Sequence, residues 1–155
     1  MNTETRDQVM RETLKHVRRV GELIAAAIYA LSCRAFAHDK SKFDPEEFDS
    51  FVEATPTLKG STFGSDEYKA ALDKIRPAID HHSANNRHHP EYHDNGVTDM
   101  TLIDLVEMVC DWKAASERHD NANFSKSIKH CVERFGIDPQ LASIIENTSR
   151  KFGWL

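Results

Sequence analysis

Residues 101–116, TLIDLVEMVCDWKAAS, are the segment that decides the fold class of this chain. Apolar residues fall on almost every side of the helix that this segment would form, apart from carboxylates at Asp104, Glu107 and Asp111. A helix that is apolar nearly all round is typical of one surrounded by other helices. The segment therefore predicts a central buried helix, and with it an all-α fold.

The flanking sequence also shows helical spacing of apolar residues, and no segment alternates as a strand does. The predicted helices are a first one to about residue 37 with a break near Gly21 or Ser32, one over about 45–54, one from Ser65 with a kink at Pro77, the central one, one over 125–135 stopped by Gly136, and one from 139 to about 151. Residues 86–97 are predicted to form a loop. We expect a single compact bundle of about six helices that forms one domain over residues 1–155.

Composition excludes several classes of protein. The formal net charge of −5 is unfavourable for an extended nucleic-acid interface. Three separated cysteines without a CxxC motif predict reduced thiols rather than a disulfide scaffold. The longest apolar stretch, residues 23–33, has about half the length of a membrane span. We therefore expect a soluble cytoplasmic protein without a membrane or an extended nucleic acid as partner.

Nine histidines, several of them paired, are the chain's most unusual feature. His38-Asp39 at the end of the first helix offers an imidazole nitrogen and a carboxylate to one cation. The segment 80–91, DHHSANNRHHPE, holds four more histidines. If its helix continued, His82 and His89 would inherit the inward face. His81 and His88, one position round the helix, are the alternatives.

Two further residues complete the candidate set. Asp111 lies between Cys110 and Trp112 on the apolar central helix, where burying a carboxylate is costly unless it is paired or binds a metal. His16 shares a helical stripe with apolar residues and is expected to face inward. The chain thus carries the order His16, His38-Asp39, His82, His89, Asp111.

This order resembles the HD-domain superfamily of metal-dependent phosphohydrolases. HDKSKF at residues 38–43 is similar to its HD-x-G-K segment, with Ser41 in place of the usual glycine. HHPE at 88–91, with Gly96 after it, is similar to the HHE…G segment of the cyclic-dinucleotide branch, although the GYP tripeptide is absent. MVCDWKAAS at 108–116 is similar to the terminal aD-x-x-dA-x-s segment. Over about residues 10–120 the chain also resembles a small protein family common in bacteriophages and bacteria, which would place it in the cytoplasm, and in that of the host if the chain is encoded by a phage.

The resemblance implies a hydrolase for a small phosphorylated substrate, a nucleotide above all. One or two divalent ions (Mn, Mg, Co, Fe or Zn) would assist it. His16, His38, Asp39 and Asp111 would hold the first ion, and Asp39 would bridge to a second ion on His82 and His89.

One basic side chain and one acidic side chain near the cluster are expected to assist the chemistry. Lys42 would neutralise phosphate oxygens as charge develops. Glu46 or Glu47 would act as general acid or orient water. Helix capping is the favoured interpretation for Glu47, which leaves Glu46 as the catalytic candidate.

Two other functions use the same residues. Four histidines and two aspartates also match the di-iron oxygenases of the HD superfamily. A non-catalytic module that binds a metal or a nucleotide is the third interpretation. The apolar C-terminal segment 152–155, FGWL, predicts either a fold-back on the bundle or a contact in a homodimer.

Overall fold

The computed structural model describes residues 3–62, 64–118 and 123–155, and it confirms the all-α class. Within those residues there are seven α-helices, three short 3-10 helices and no strand. The α-helices are α1 Thr3–Ala37, α2 Pro45–Gly60, α3 Asp66–Lys74, α4 Arg76–Asn85, α5 Leu102–Ser116, α6 Phe124–Phe135 and α7 Pro139–Lys151. The 3-10 helices are Lys40–Phe43, Pro90–Tyr92 and Gly96–Asp99.

The chain divides into two compact units, Met1–Ala37 and His38–Leu155. The expectation of a single domain stays a prediction. Helix α1 accounts for the described part of the first unit, and it runs without a break past Gly21 and Ser32, contrary to the predicted interruption. Ser32 is accommodated because its hydroxyl donates to the carbonyl of Ile28 one turn earlier.

Helix α1 has no buried residue. By length and composition alone, the helical stretch Thr3–Phe43 is long and apolar enough to cross a membrane. The expectation that the chain has no membrane partner therefore stays a prediction.

Two prolines act differently from the sequence-based expectation. Helix α2 does not end before Pro56 but continues to Gly60, because an internal proline removes one backbone hydrogen bond without preventing the next turn. Pro77 does not kink one helix but lies in the first turn of a new one, α4, where its missing N–H is not needed. The break falls at Ile75, so the structure has seven α-helices in its described residues rather than about six.

The helix ends of the C-terminal half follow the expected capping chemistry. Thr101 and Asp104 form a reciprocal capping box at the start of α5. Helix α6 ends at Gly136, whose φ of +61° favours glycine. Asp138 caps α7 by accepting hydrogen bonds from the backbone N–H groups of Gln140 and Leu141.

The main apolar core of the second unit is built by α5, α6 and α7. Its buried members are Met108, Val109, Phe124, Ile128, Ile137 and Ile145. Leu102 and Val106 on α5 are exposed, so this helix is buried on one side only and not all round as expected. Trp154 packs on the core and meets Phe124 edge to face, which confirms that the C-terminal segment folds back.

Replacement of Ile145 by Ala is expected to reduce the free energy of unfolding by about 2–5 kcal/mol, because it removes core methyl groups and leaves a cavity. Ile145 is 4% exposed, whereas its neighbour Ile144 is 54% exposed. Ile144→Ala is the matched control and should cost less than about 1 kcal/mol. Urea unfolding followed by circular dichroism compares them, and equal losses would contradict the assigned core.

Candidate metal centre

The candidate centre begins where α1 ends, at Asp39. Asp39 has φ +54°, in the left-handed region, and among the described residues it is the only non-glycine there. Aspartate tolerates this conformation better than most residues. The backbone turns at once into the 3-10 helix Lys40–Phe43, as the N–H of Lys42 donates to the carbonyl of Asp39 at 3.0 Å.

Imidazole nitrogens face both oxygens of the Asp39 carboxylate. Nε2 of His82 lies 3.2 Å from Oδ1, and Nε2 of His88 lies 3.4 Å from the same oxygen. On the other side, Nε2 of His38 lies 3.4 Å from Oδ2. The carboxylate is therefore placed between two sets of nitrogen atoms.

Two overlapping groups of potential ligand atoms result, each with all its atoms within 4.8 Å of one another. The first group is Asp39, His82, His88 and His89, and the second is His38, His88 and Asp111. Nε2 of His38 and Oδ1 of Asp111 are 3.8 Å apart. The mixture of imidazole and carboxylate is the donor set that zinc and other divalent transition metals bind in proteins.

Two glutamates contact the Nδ1 atoms of these imidazoles, whose Nε2 atoms face Asp39. The carboxylate of Glu107 contacts Nδ1 of His38 at 2.9 Å and Nδ1 of His88 at 3.2 Å. Since a carboxylate only accepts, each Nδ1 must carry the proton and donate. The lone pair of each of these histidines is then left on Nε2, which faces Asp39.

Glu47 does the same from α2, where it is completely buried. Its two oxygens accept from Nδ1 of His81 at 2.8 Å and from Nδ1 of His82 at 2.9 Å. Carboxylates that hold the second nitrogen of an imidazole are a regular feature of metal centres, where they fix the tautomer and the ring orientation. Burial raises the pKa of Glu47, but contacts with the two histidines outweigh it and leave that pKa below its ordinary value.

Three atoms at the centre are buried and have no hydrogen-bond partner among the described residues: Oδ1 of Asp39, Nε2 of His88 and Nε2 of His89. Buried polar atoms are normally hydrogen-bonded, so three adjacent exceptions need a common explanation. All three atoms are good metal ligands, and a shared cation would satisfy them together. The residues therefore fit a divalent metal.

The protonation states suit the same role. Burial, together with the nearby His88 and His82, lowers the pKa of His89 to about 3, so this imidazole is neutral at pH 7. Burial raises the pKa of Asp39, but His82 and Lys42 outweigh it and hold the pKa well below its ordinary value. The centre therefore offers a neutral imidazole and an ionised carboxylate, the forms that bind metals.

Lys42 forms an ion pair with Oδ2 of Asp39, and about a third of its side chain is exposed. His38 and Asp111 are also partly exposed, whereas His82 and His88 are buried. The cluster thus has a solvent-facing side that carries Lys42. A hydrogen bond to Glu107 raises the pKa of His38 against the effect of burial.

Most of the predicted residues meet within the second unit: His38, Asp39, Lys42, His82, His89 and Asp111. His88, left open as an alternative, belongs to both ligand groups. His81 contacts Glu47 instead. His16 lies exposed on α1 in the first unit, and its role as a ligand stays a prediction.

The structure changes the interpretation of Glu47, whereas the catalytic role of Glu46 stays a prediction. Glu46 is exposed, and it takes part in none of the hydrogen bonds among the described site residues. Glu47, interpreted from the sequence as a helix cap, is the one that reaches the histidines, because successive helix positions point about 100° apart. Glu107 was also missed as an orienting residue, although its spacing from Asp111 places both on one helix face.

The third carboxylate of that face, Asp104, has a structural role. It is 2% exposed, accepts from the backbone and hydroxyl of Thr101, and forms two hydrogen bonds with Arg87 at 3.3 and 3.2 Å. Burial raises the pKa of Asp104, but these hydrogen bonds outweigh it and leave the pKa below its ordinary value. Through its hydrogen bonds with Arg87, Asp104 on α5 thereby holds the segment that carries His88 and His89.

Asp104→Asn is expected to reduce the free energy of unfolding at pH 7 by about 2–3 kcal/mol. The reason is that the substitution removes the carboxylate that accepts hydrogen bonds from Thr101 and from the Arg87 guanidinium. A depressed folded-state pKa contributes stability above the unfolded pKa of about 4, and that contribution is lost as pH falls. The difference in the free energy of unfolding between wild type and variant should therefore become smaller from pH 7 to pH 3. Urea unfolding across this range tests it, and a pH-independent difference would contradict the ion pair.

Fold and site together define an all-α protein with a buried histidine–carboxylate cluster. The chain belongs to the family of unknown function DUF5662, whose model matches residues 5–151. No curated protein and no solved structure matches the chain.

Proposed function

We propose that this protein is a metal-dependent phosphohydrolase that acts on a nucleotide or a related phosphoester. The observation that carries the proposal is a set of three buried ligand atoms, on Asp39, His88 and His89, that lack hydrogen-bond partners in the described part of the chain. Glu107 contacts Nδ1 of His38 and Glu47 contacts Nδ1 of His82, as carboxylates do with metal-bound histidines. The order of the histidines and aspartates, which resembles the HD superfamily, supports the same class of enzyme.

The two ligand groups share His88, whose single Nε2 lone pair can bind only one ion, so we assign His88 to one ion and use Asp39 to complete the other site. His38, Asp39 and Asp111 would hold the first ion, with His16 as the further ligand that the resemblance implies. Asp39, His82, His88 and His89 would hold the second ion. The Asp39 carboxylate suits a bridging role because its two oxygens face different histidines.

Divalent ions bound there would polarise the phosphoryl group and lower the pKa of a coordinated water. Lys42 lies beside Asp39 and is partly exposed, so its ammonium can turn to a non-bridging phosphate oxygen and stabilise the charge that develops. Glu47 and Glu107 keep Nδ1 protonated on the histidines that they contact and hold the rings in place. The partly exposed His38 and Asp111 mark the side from which substrate would approach.

The direct test is turnover by the full-length protein with Mn²⁺, Mg²⁺, Co²⁺ or Fe²⁺ against nucleotides and cyclic dinucleotides. We expect metal-dependent release of phosphate or a monoester, and none from a His38→Ala, Asp39→Ala double variant. Absence of turnover above that control with every metal would contradict the proposal. Tight nucleotide binding with unchanged ligand would point to a binding module, and substrate-dependent O₂ uptake to an oxygenase.

A further inference from the structure

Helix α1 carries a continuous apolar seam that the proposed function does not use. Its large members are Met10, Leu14, Val17, Ile24, Ile28 and Leu31. Gly21 and Ala35 fill the two remaining positions of the same 4-3-4-3 spacing. This is the a/d pattern of a heptad repeat, sustained from Met10 to Ala35.

Within the described part of the first unit, no other element covers the seam. Met10, Leu14, Val17, Ile24 and Ile28 are 55–60% exposed. Monomeric proteins rarely expose a contiguous apolar surface of this extent, and one that is exposed normally marks an interface.

Charged residues outside the seam form ion pairs within α1. Lys15 pairs with Glu12 at 2.8 Å, and Arg18 and Arg19 both pair with Glu22 at 3.1 Å. In the heptad that places Leu14 at position a, these five residues occupy positions b, e and f. Positions b and f lie away from the seam and Arg18 at position e flanks it, so all five charges lie outside the a/d positions of the N-terminal half.

We propose that the α1 seam binds the α1 seam of a second copy of this chain, so that the two helices form a coiled coil. A strict 3.5-residue spacing drifts around a straight helix by about 20° per heptad, and it stays in contact only where two helices wrap around one another. The seam covers Met10–Ala35, about 39 Å at 1.5 Å per residue. Among the described helices of the second unit the longest, α2, has 16 residues, so only another α1 matches this length.

A membrane is the other surface that an apolar helix could enter, and two features disfavour it. The uncharged stretch between Glu22 and Arg34 has 11 residues, so a bilayer-spanning stretch of this helix would have to include at least one of these two charges. The heptad spacing also continues through the charged N-terminal half, where Met10, Leu14 and Val17 lie on the seam. A flat lipid surface would impose no 3.5-residue period on these positions. This inference goes beyond the proposed hydrolase and does not depend on it.

The test uses the full-length chain and light scattering coupled to gel filtration. We expect the wild type to have twice the monomer mass of 17.7 kDa. Ile28→Asp, in the seam, should be a monomer. Tyr29→Asp is the matched control, since Tyr29 is 72% exposed and lies about 100° away around the helix, and it should remain a dimer.

Ile28→Ala provides a milder variant that keeps the helix intact, and sedimentation equilibrium should show at least a tenfold weaker dimer. A wild-type chain that is still a monomer at a concentration of about 100 µM would overturn the inference. So would dissociation of Tyr29→Asp to the same extent as Ile28→Asp. Flotation of a monomeric chain with vesicles of phosphatidylcholine and phosphatidylglycerol would assign the seam to lipid instead.

Discussion

Asp39→Asn is expected to remove nearly all of the proposed phosphoester hydrolysis and most of the bound metal. Both Asp39 oxygens face histidine nitrogens and Asp39 is a proposed ligand of both ions, so the substitution affects both proposed ion sites at once. A metal ion contributes several kcal/mol to phosphoryl transfer, and each 1.4 kcal/mol is about tenfold in rate, so turnover should fall by roughly 10²-fold or more. Phosphate release and metal content of the same preparation measure the two effects together.

Asp44→Asn is the control for this substitution. Asp44 lies five residues further along the chain, is exposed, and its side chain makes no capping hydrogen bond at the start of α2. Its replacement should leave turnover and metal content near the wild-type values. Wild-type turnover by Asp39→Asn would remove Asp39 from the centre of the proposed mechanism.

Glu47→Gln is expected to weaken metal binding by about 10- to 100-fold, the usual effect of removing a carboxylate that orients a metal-bound histidine. The amide would present an N–H₂ group or a weaker acceptor to Nδ1 of His81 and His82, which now donate to the carboxylate. Titration of the chelator-treated protein with Mn²⁺ or Zn²⁺, followed by calorimetry, gives the affinity.

The adjacent Glu46→Gln variant has the same change in charge and composition but alters an exposed side chain. It should bind metal as the wild type does. Thermal melts in chelator separate a loss of folding from a loss of metal affinity. If Glu46→Gln weakened binding more than Glu47→Gln, the assignment of Glu47 as the orienting residue would be wrong.

Local chemistry in the sequence was sufficient to predict most helix ends and part of the cluster. Thr101, Asp138 and Gly136 have short-range capping roles that depend on few neighbours. His38-Asp39 was recognisable because the two ligand types are adjacent. These features need no knowledge of how distant segments pack.

The choice between members of the histidine pairs could not be predicted, because it depends on where a helix ends. Extending the helical period through residues 86–89 favours His82 and His89. Helix α4 ends at Asn85, and the following segment is irregular, so His88 and His89 both reach the cluster. The roles of Glu47 and Glu107 arise from contacts with residues 34 and 69 positions away along the chain, and no local pattern encodes them.

The most direct test of the central claim is the metal content of the full-length chain, purified without a histidine tag or a chelator and measured by inductively coupled plasma mass spectrometry. We expect between one and two equivalents of a transition metal per chain, retained on desalting and lost in Asp39→Asn. A value near two supports both ligand groups, and a value near one supports a single group. A metal-free protein that also takes up no Mn²⁺, Fe²⁺, Co²⁺ or Zn²⁺ on titration would contradict the account.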